Sequence, residues 1–136
     1  MTEPFNNWAK LAEALPKVTS QVVRKTAFDV LAGWQSRVRV DTGFEKNSGY
    51  VKTKTESTYG GAAPTSPGAY LLPEIEAPAD DQTAYIGVGA NYGLVEELGG
   101  AHHTANPAMA QSVEAARPGF DAGMAAVEQA MKEAAR

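Results

Sequence analysis

At 136 residues the chain is long enough for one hydrophobic core and too short for two. A hydrophobic share of 43% beside 21% charged residues fits a globular domain, and the formal net charge of -4 argues against a surface that coats nucleic acid, though not against a wall that DNA slides past. There is no cysteine, which removes disulfides, thiolate metal sites and cysteine nucleophiles.

The first sixteen residues contain acidic side chains and no long apolar run, so no signal peptide is expected there. No stretch approaches the ~20 apolar residues of a membrane span. A product assembled in the cytoplasm is the expectation. Residues 4–14 read as a short helix, with Pro4 suited to a first turn and Pro16 closing it. Residues 17–39 read as a longer helix. Val23, Ala27, Val30, Leu31, Trp34 and Val38 fall within a sector of about 100° and form its expected core face. That face packs either on the first helix or on a neighbouring subunit. Val22 and Phe28 lie off it and are candidates for a subunit interface.

Asp41, Thr42 and Gly43 carry turn chemistry after this helix. Residues 49–58 alternate as a strand does, with Val51, Thr53 and Thr55 on one face and Tyr50, Lys52, Lys54 and Glu56 on the other. One of these faces is barely apolar, so the strand is expected either to be solvated on one side or to pair late in assembly. Residues 59–81 hold Pro64, Pro67, Pro73 and Pro78 together with Gly60, Gly61 and Gly68, which excludes a helix and allows a strand only in fragments. The segment nevertheless carries Tyr70, Leu71, Leu72 and Ile75. Two readings stand side by side. One is an extended arm or hairpin whose apolar partner lies on another subunit; the other is a flexible surface loop.

Residues 82–90 read as a second strand, with Ala84, Ile86 and Val88 facing one way. A short apolar-acidic element follows from Tyr92 to Leu98, closed by Gly99 and Gly100. Asn106 suits a helix N-cap and Pro107 a first helical position. From there Met109, Val113, Ala116, Phe120, Met124, Val127, Met131 and Ala134 keep one phase across Pro118, which predicts a single kinked helix over 107–134. The fold class is therefore α+β: a small antiparallel sheet packed against long N-terminal and C-terminal helices. It forms one domain, 1–136, with the Pro/Gly-rich arm 59–81 inserted.

The search for chemistry finds no coherent site. His102 and His103 are adjacent and diverge, and no carboxylate stands at metal-ligand spacing from them. Glu96 and Glu97 would point about 100° apart on a helix, which does not suit a two-carboxylate hydrolase. No serine sits in a nucleophile elbow, and neither glycine pair has a phosphate-loop pattern. No catalytic, cofactor-binding or metal-ligating residue is assigned, no cofactor is expected, and the chain is read as a non-enzyme.

Three features do fall in a meaningful order. A long amphipathic helix runs into Val40-Asp41-Thr42-Gly43. Tyr85-Ile86-Gly87-Val88 is followed by Tyr92-Gly93-Leu94-Val95-Glu96-Glu97-Leu98-Gly99-Gly100. Asn106-Pro107-Ala108-Met109 then opens the last helix. Over roughly residues 17–134 this resembles the head–tail joining, or tail-completion, family of long-tailed bacteriophages. The chain departs from that pattern at Val40, Gly93 and Ala108, and in its Pro-rich insert. The resemblance implies a structural virion protein of the neck. It implies a homo-oligomeric ring of six or twelve copies that completes the tail or connector, in contact with neighbouring neck, connector and tail proteins. It also implies transient, non-specific contact with DNA in the channel, and no membrane. Asp41, Thr42, Gly43, Tyr92, Val95, Glu96, Gly99 and Pro107 would then be scaffold of the family pattern, with Tyr92, Val95 and Leu98 anchoring the short element to the sheet. A tail terminator, or another minor capsid or tail protein, is the alternative; a small hydrolase is a more distant one.

Overall fold

The computed structural model describes residues 4–39, 43–64, 66–101 and 104–134, so Asp41, Thr42, His102 and His103 lie outside the described residues. The elements in order are α1 (Pro4–Arg37), α2 (Phe44–Ser48), β1 (Gly49–Lys52), β2 (Tyr85–Val88), α3 (Gly93–Leu98) and α4 (Ala108–Ala134). The expected α+β architecture is present: two long helices pack together, with a small antiparallel sheet against α1.

Where two N-terminal helices were expected, there is one. α1 continues through Pro16 for 34 residues, about 51 Å at 1.5 Å per residue. The ring removes one backbone donor but does not break the rod. The acceptor it deprives is the Ala12 carbonyl, four residues earlier, at an exposed position of the helix. α4 likewise runs unbroken through Pro118 for 27 residues, as the common phase predicted.

The two long helices form an antiparallel hairpin held by small residues. A Cβ at Gly123 would lie 2.8 Å from Val22 Cγ1, and one at Gly33 would lie 3.3 Å from Ser112 Oγ. Leu11 and Ala134 line one small groove at the far end. Each step of eleven residues along α1 is thus matched by eleven in reverse along α4. The helices keep one register over the whole length, across both prolines.

The core lies where the sheet meets the second half of α1. Ala27, Leu31, Trp34 and Val38 are buried with Val51 and Ala108, and Ala84, Ile86 and Val88 pack against them: the two periodicities located the core faces, but the α1 face meets the sheet of its own chain, not a separate first helix or a neighbouring subunit. β1 and β2 pair Val51 with Ile86 and Tyr50 with Gly87. Both strands are shorter than the sequence suggested. The chain turns back after Lys52, where the Thr53 amide donates to the Glu56 carbonyl at 2.8 Å. A run of polar alternation without apolar partners has nothing to bury, and it yields to a turn.

β1 is also buried on both faces, contrary to the expectation of a solvated side. Val51 turns into the core, while Tyr50, only 2% exposed, lies beneath the 59–81 segment. Its ring meets Tyr59 edge-on at 5.0 Å. It also lies so close to Gly87 that a Cβ there would come within 2.5 Å of Tyr50 Cζ.

Candidate subunit interface

The 59–81 segment is pinned to its own chain. It leaves one edge of the sheet, where the Thr58 amide donates to the Val51 carbonyl at 3.0 Å. It reaches the other edge at Leu71, which bridges Ala90, and the Leu72 amide donates to the Gly89 carbonyl at 2.7 Å. Between these edges Tyr59 Oη donates to the Leu72 carbonyl at 2.7 Å, and the Ile75 amide donates to Tyr50 Oη at 3.1 Å. Asn91 holds the turn from both sides: its Oδ1 accepts from the Tyr70 amide and its Nδ2 donates to the Gly68 carbonyl. Lys52 pairs with Glu74, whose carboxyl is held below the usual range by Lys52 and by Ser57. The segment is a strap over the sheet, so a freely swinging arm or loop is not what the chain builds.

The strap still displays apolar side chains. Leu71 is half-buried against Gly89, but Tyr70, Leu72 and Ile75 remain exposed, Tyr70 by 57%. The other two interface candidates turn inward. Val22 packs on Gly123 of the partner helix, and Phe28 packs against the core with the Arg24 guanidinium 4.7 Å above its ring.

A second surface was not among the sequence candidates. Leu94 and Leu98 stand one turn apart on α3, each 69% exposed, with Val95 also exposed beside them. The expected anchoring of α3 through Val95 and Leu98 is therefore wrong. α3 is held by other groups: Tyr92 packs on Phe44 with centroids 6.1 Å apart, and Gly93 lies against Val88. Its two glutamates diverge as expected. Glu96 pairs with Arg39 at 3.2 Å. Glu97 accepts from the Met109 and Ala110 amides at 2.9 and 3.1 Å, and so caps the first turn of α4. That corrects the expected cap: Asn106 instead donates from Nδ2 to the Arg37 carbonyl, and α4 starts at Ala108, one residue past Pro107. Gly43 and Gly99, also of that scaffold set, close turns. Gly43, at φ 83°, precedes α2, and the Gly99 amide donates to the Val95 carbonyl at 2.7 Å.

Leu94 forms one wall of an apolar groove of about 280 Å³, whose other walls include Leu72, Ile86, Val88 and Met109, with Trp34 at its base. Ridge and groove together make an apolar patch joining α3, β2, the strap and the start of α4. Single exposed apolar residues need no explanation, but a contiguous cluster does.

Polar chemistry is scattered by comparison. A cleft of about 640 Å³ is lined by Ser20, Arg24, Thr53, Thr55, Glu56, Ser57 and Asp81, but its one cation is clamped by Glu56 at 2.8 and 3.0 Å. Glu45, 6% exposed, is pushed up to about 7 by burial, with Glu96 and Glu97 adding to the shift against the pull of Arg39. Among the described residues no three His, Asp or Glu side chains are grouped to hold a metal ion. No described helix is long and apolar enough to cross a membrane. Compared with family models, curated proteins and solved structures, the chain matches none of them.

Proposed function

We propose that this chain is a non-enzymatic structural subunit of the neck of a long-tailed bacteriophage. It closes with its own copies into a ring at the head–tail junction and leaves a channel for DNA. The observation that carries the reading is the Leu94–Leu98 ridge beside the groove based on Trp34. A chain that buries Val51 completely has no folding reason to leave two leucines in water on a well-anchored helix. The ordered resemblance to the head–tail joining family supports the same reading. The ring's neighbours would be connector and tail proteins, its place the virion, and its contact with DNA transient, in keeping with the net negative charge.

Light scattering on the eluting protein tests this. The wild-type chain associates as concentration rises, whereas the double variant Leu94→Asp, Leu98→Asp stays monomeric with unchanged circular dichroism. A wild-type chain that remains monomeric throughout overturns the proposal. Location within the particle separates tail completion from a tail terminator or another minor capsid or tail protein.

A further inference from the structure

We infer that the outer edge of β2 takes a third strand from a partner protein: a lone extended segment, aliphatic at alternate positions and basic at the end beside Glu97. This goes beyond the ring reading, since it leaves the Leu94–Leu98 ridge to sister copies and gives the groove to a different molecule.

The hydrogen-bond pattern of the sheet leaves that edge open. The Val51 carbonyl accepts from the Thr58 amide, and the Val51 amide donates to Thr58 Oγ1 at 2.9 Å, so both backbone polar groups of Val51 turn away from β2. In an antiparallel pair the opposite residue turns its own groups outward on the other side, and opposite Val51 stands Ile86. Val88, two residues on, points the same way as Ile86. Among the described residues nothing bonds to the amides and carbonyls of Ile86 and Val88 on that side. The strap stops short of them. It pairs beside Ala90 as far as Leu72, then meets Pro73, which has no amide to give, and crosses the far face of the sheet to Tyr50 Oη.

Beside this edge the apolar face of α4 lies bare. β1 leads on its outer side to Glu56, which pairs with Arg24, and Arg24 is about 160° round α1 from Val22, where α1 touches α4. β2 is therefore the strand next to α4, and Ile86 and Val88 line one groove with Met109. Two strands about 4.8 Å apart cover α1 but not a second helix about 9 Å away. Of the apolar stripe on α4 only Val127 is buried; Val113 is 43% exposed, and Phe120 and Met124 are half-buried. Val113 and Phe120 lie about 60–80° round α4 from Gly123, on the side where the sheet lies. A third strand would cover them and give the sheet the width it lacks.

The overhang of α4 selects the occupant. The β2 of a second copy cannot enter, because its own α4 projects past the edge in the same way and would run into α1. A single extended segment carries no such helix. Its inner side chains would rest on Val113 and in the groove, so they are aliphatic. Glu97, the charged residue lining that groove, favours a basic end over the chain's own acidic strap with Glu74 and Glu76. Main-chain bonds to Ile86 and Val88 would supply affinity, and the alternate side chains specificity.

A synthetic Lys-Val-Thr-Val-Thr-Val-Lys peptide is the probe. In the free protein the amides of Ile86 and Val88 should exchange with solvent at least about tenfold faster than that of Gly87, which pairs with Tyr50. The peptide should bind and abolish the difference. N-methylation of the peptide amides that face the edge should weaken binding about tenfold or more, and Val113→Asp about fivefold. Ile86 and Val88 amides already slow in the free monomer, a methylated peptide that binds as well as the plain one, or no binding at all overturns the inference. So does protection that arises only as copies of the chain associate, since a second copy would then hold the edge. Peptide capture by a chain that stays monomeric leaves this inference standing and removes the ring reading; a chain that associates yet ignores the peptide does the reverse.

Discussion

Glu45 is the residue where the fold holds a titratable group against its solvent preference. Its carboxyl is raised from an ordinary 4.5 to about 7, chiefly by burial. A raised folded-state value means that the neutral form suits the native protein. Its stabilising contribution is full below about pH 4.5 and is lost as pH rises through about 7. Glu45→Gln should therefore flatten the stability change between pH 5 and 8 by roughly 2 kcal/mol, read from urea unfolding at each pH. Retention of the full wild-type slope would show that another group is responsible. Glu97 makes a separate claim. Its carboxylate bonds two amides at the positive end of α4, so Glu97→Ala should cost about 1 kcal/mol, visible as a melting point lower by roughly 4 °C. Neither role is written in local sequence. Glu97 serves amides twelve and thirteen residues further on, and the nearer cap candidate, Asn106, is drawn off to the end of α1.

At the scale of elements, the hairpin is a test of small residues and tolerated prolines. Pro16→Ala would return an amide donor to mid-helix without touching the Pro16 carbonyl, on which Gln82 Nε2 rests at 2.9 Å. It should stabilise the protein by about 1–3 kcal/mol, measured by denaturant unfolding. Gly123→Leu should do the opposite. The added side chain would enter the space of Val22, separating the helices at a cost of about 2–3 kcal/mol. The sheet-facing side of α1 was legible because Ala27, Leu31, Trp34 and Val38 follow the helical period. The α4-facing side was not, because Gly33, Ser112 and Gly123 carry no hydrophobic signal; their value lies in what they omit. One phase across Pro118 showed α4 to be continuous. Pro16 was read as a stop because a ring without an amide donor ordinarily ends a helix, whereas here the helix runs on through it. The strap was the least legible part. Its bonds join Tyr50 to Ile75 and Asn91 to Gly68 and Tyr70, separations at which a single sequence shows no pattern.

On the scale of the whole molecule, several ion pairs and side-chain hydrogen bonds hold elements to one another, and the two most exposed apolar side chains, Leu94 and Leu98, stand together on α3. Lys52 with Glu74, Arg24 with Glu56, Arg39 with Glu96 and Glu97 with α4 each fasten two parts of the fold. Tyr70, Leu72 and Ile75 were found from the sequence because apolar residues are out of place in a Pro/Gly-rich run. Leu94 and Leu98 were missed as surface because their spacing is equally that of a helix packed inward. Only the anchoring of α3 through its other side reveals that they face out. Electron cryomicroscopy of a particle containing this chain tests the central proposal most directly. The account predicts a closed ring of copies between the portal and the tail tube, with the Leu94–Leu98 ridge covered. Particles complete without this density, or a lone copy there with the leucines still in solvent, would contradict it.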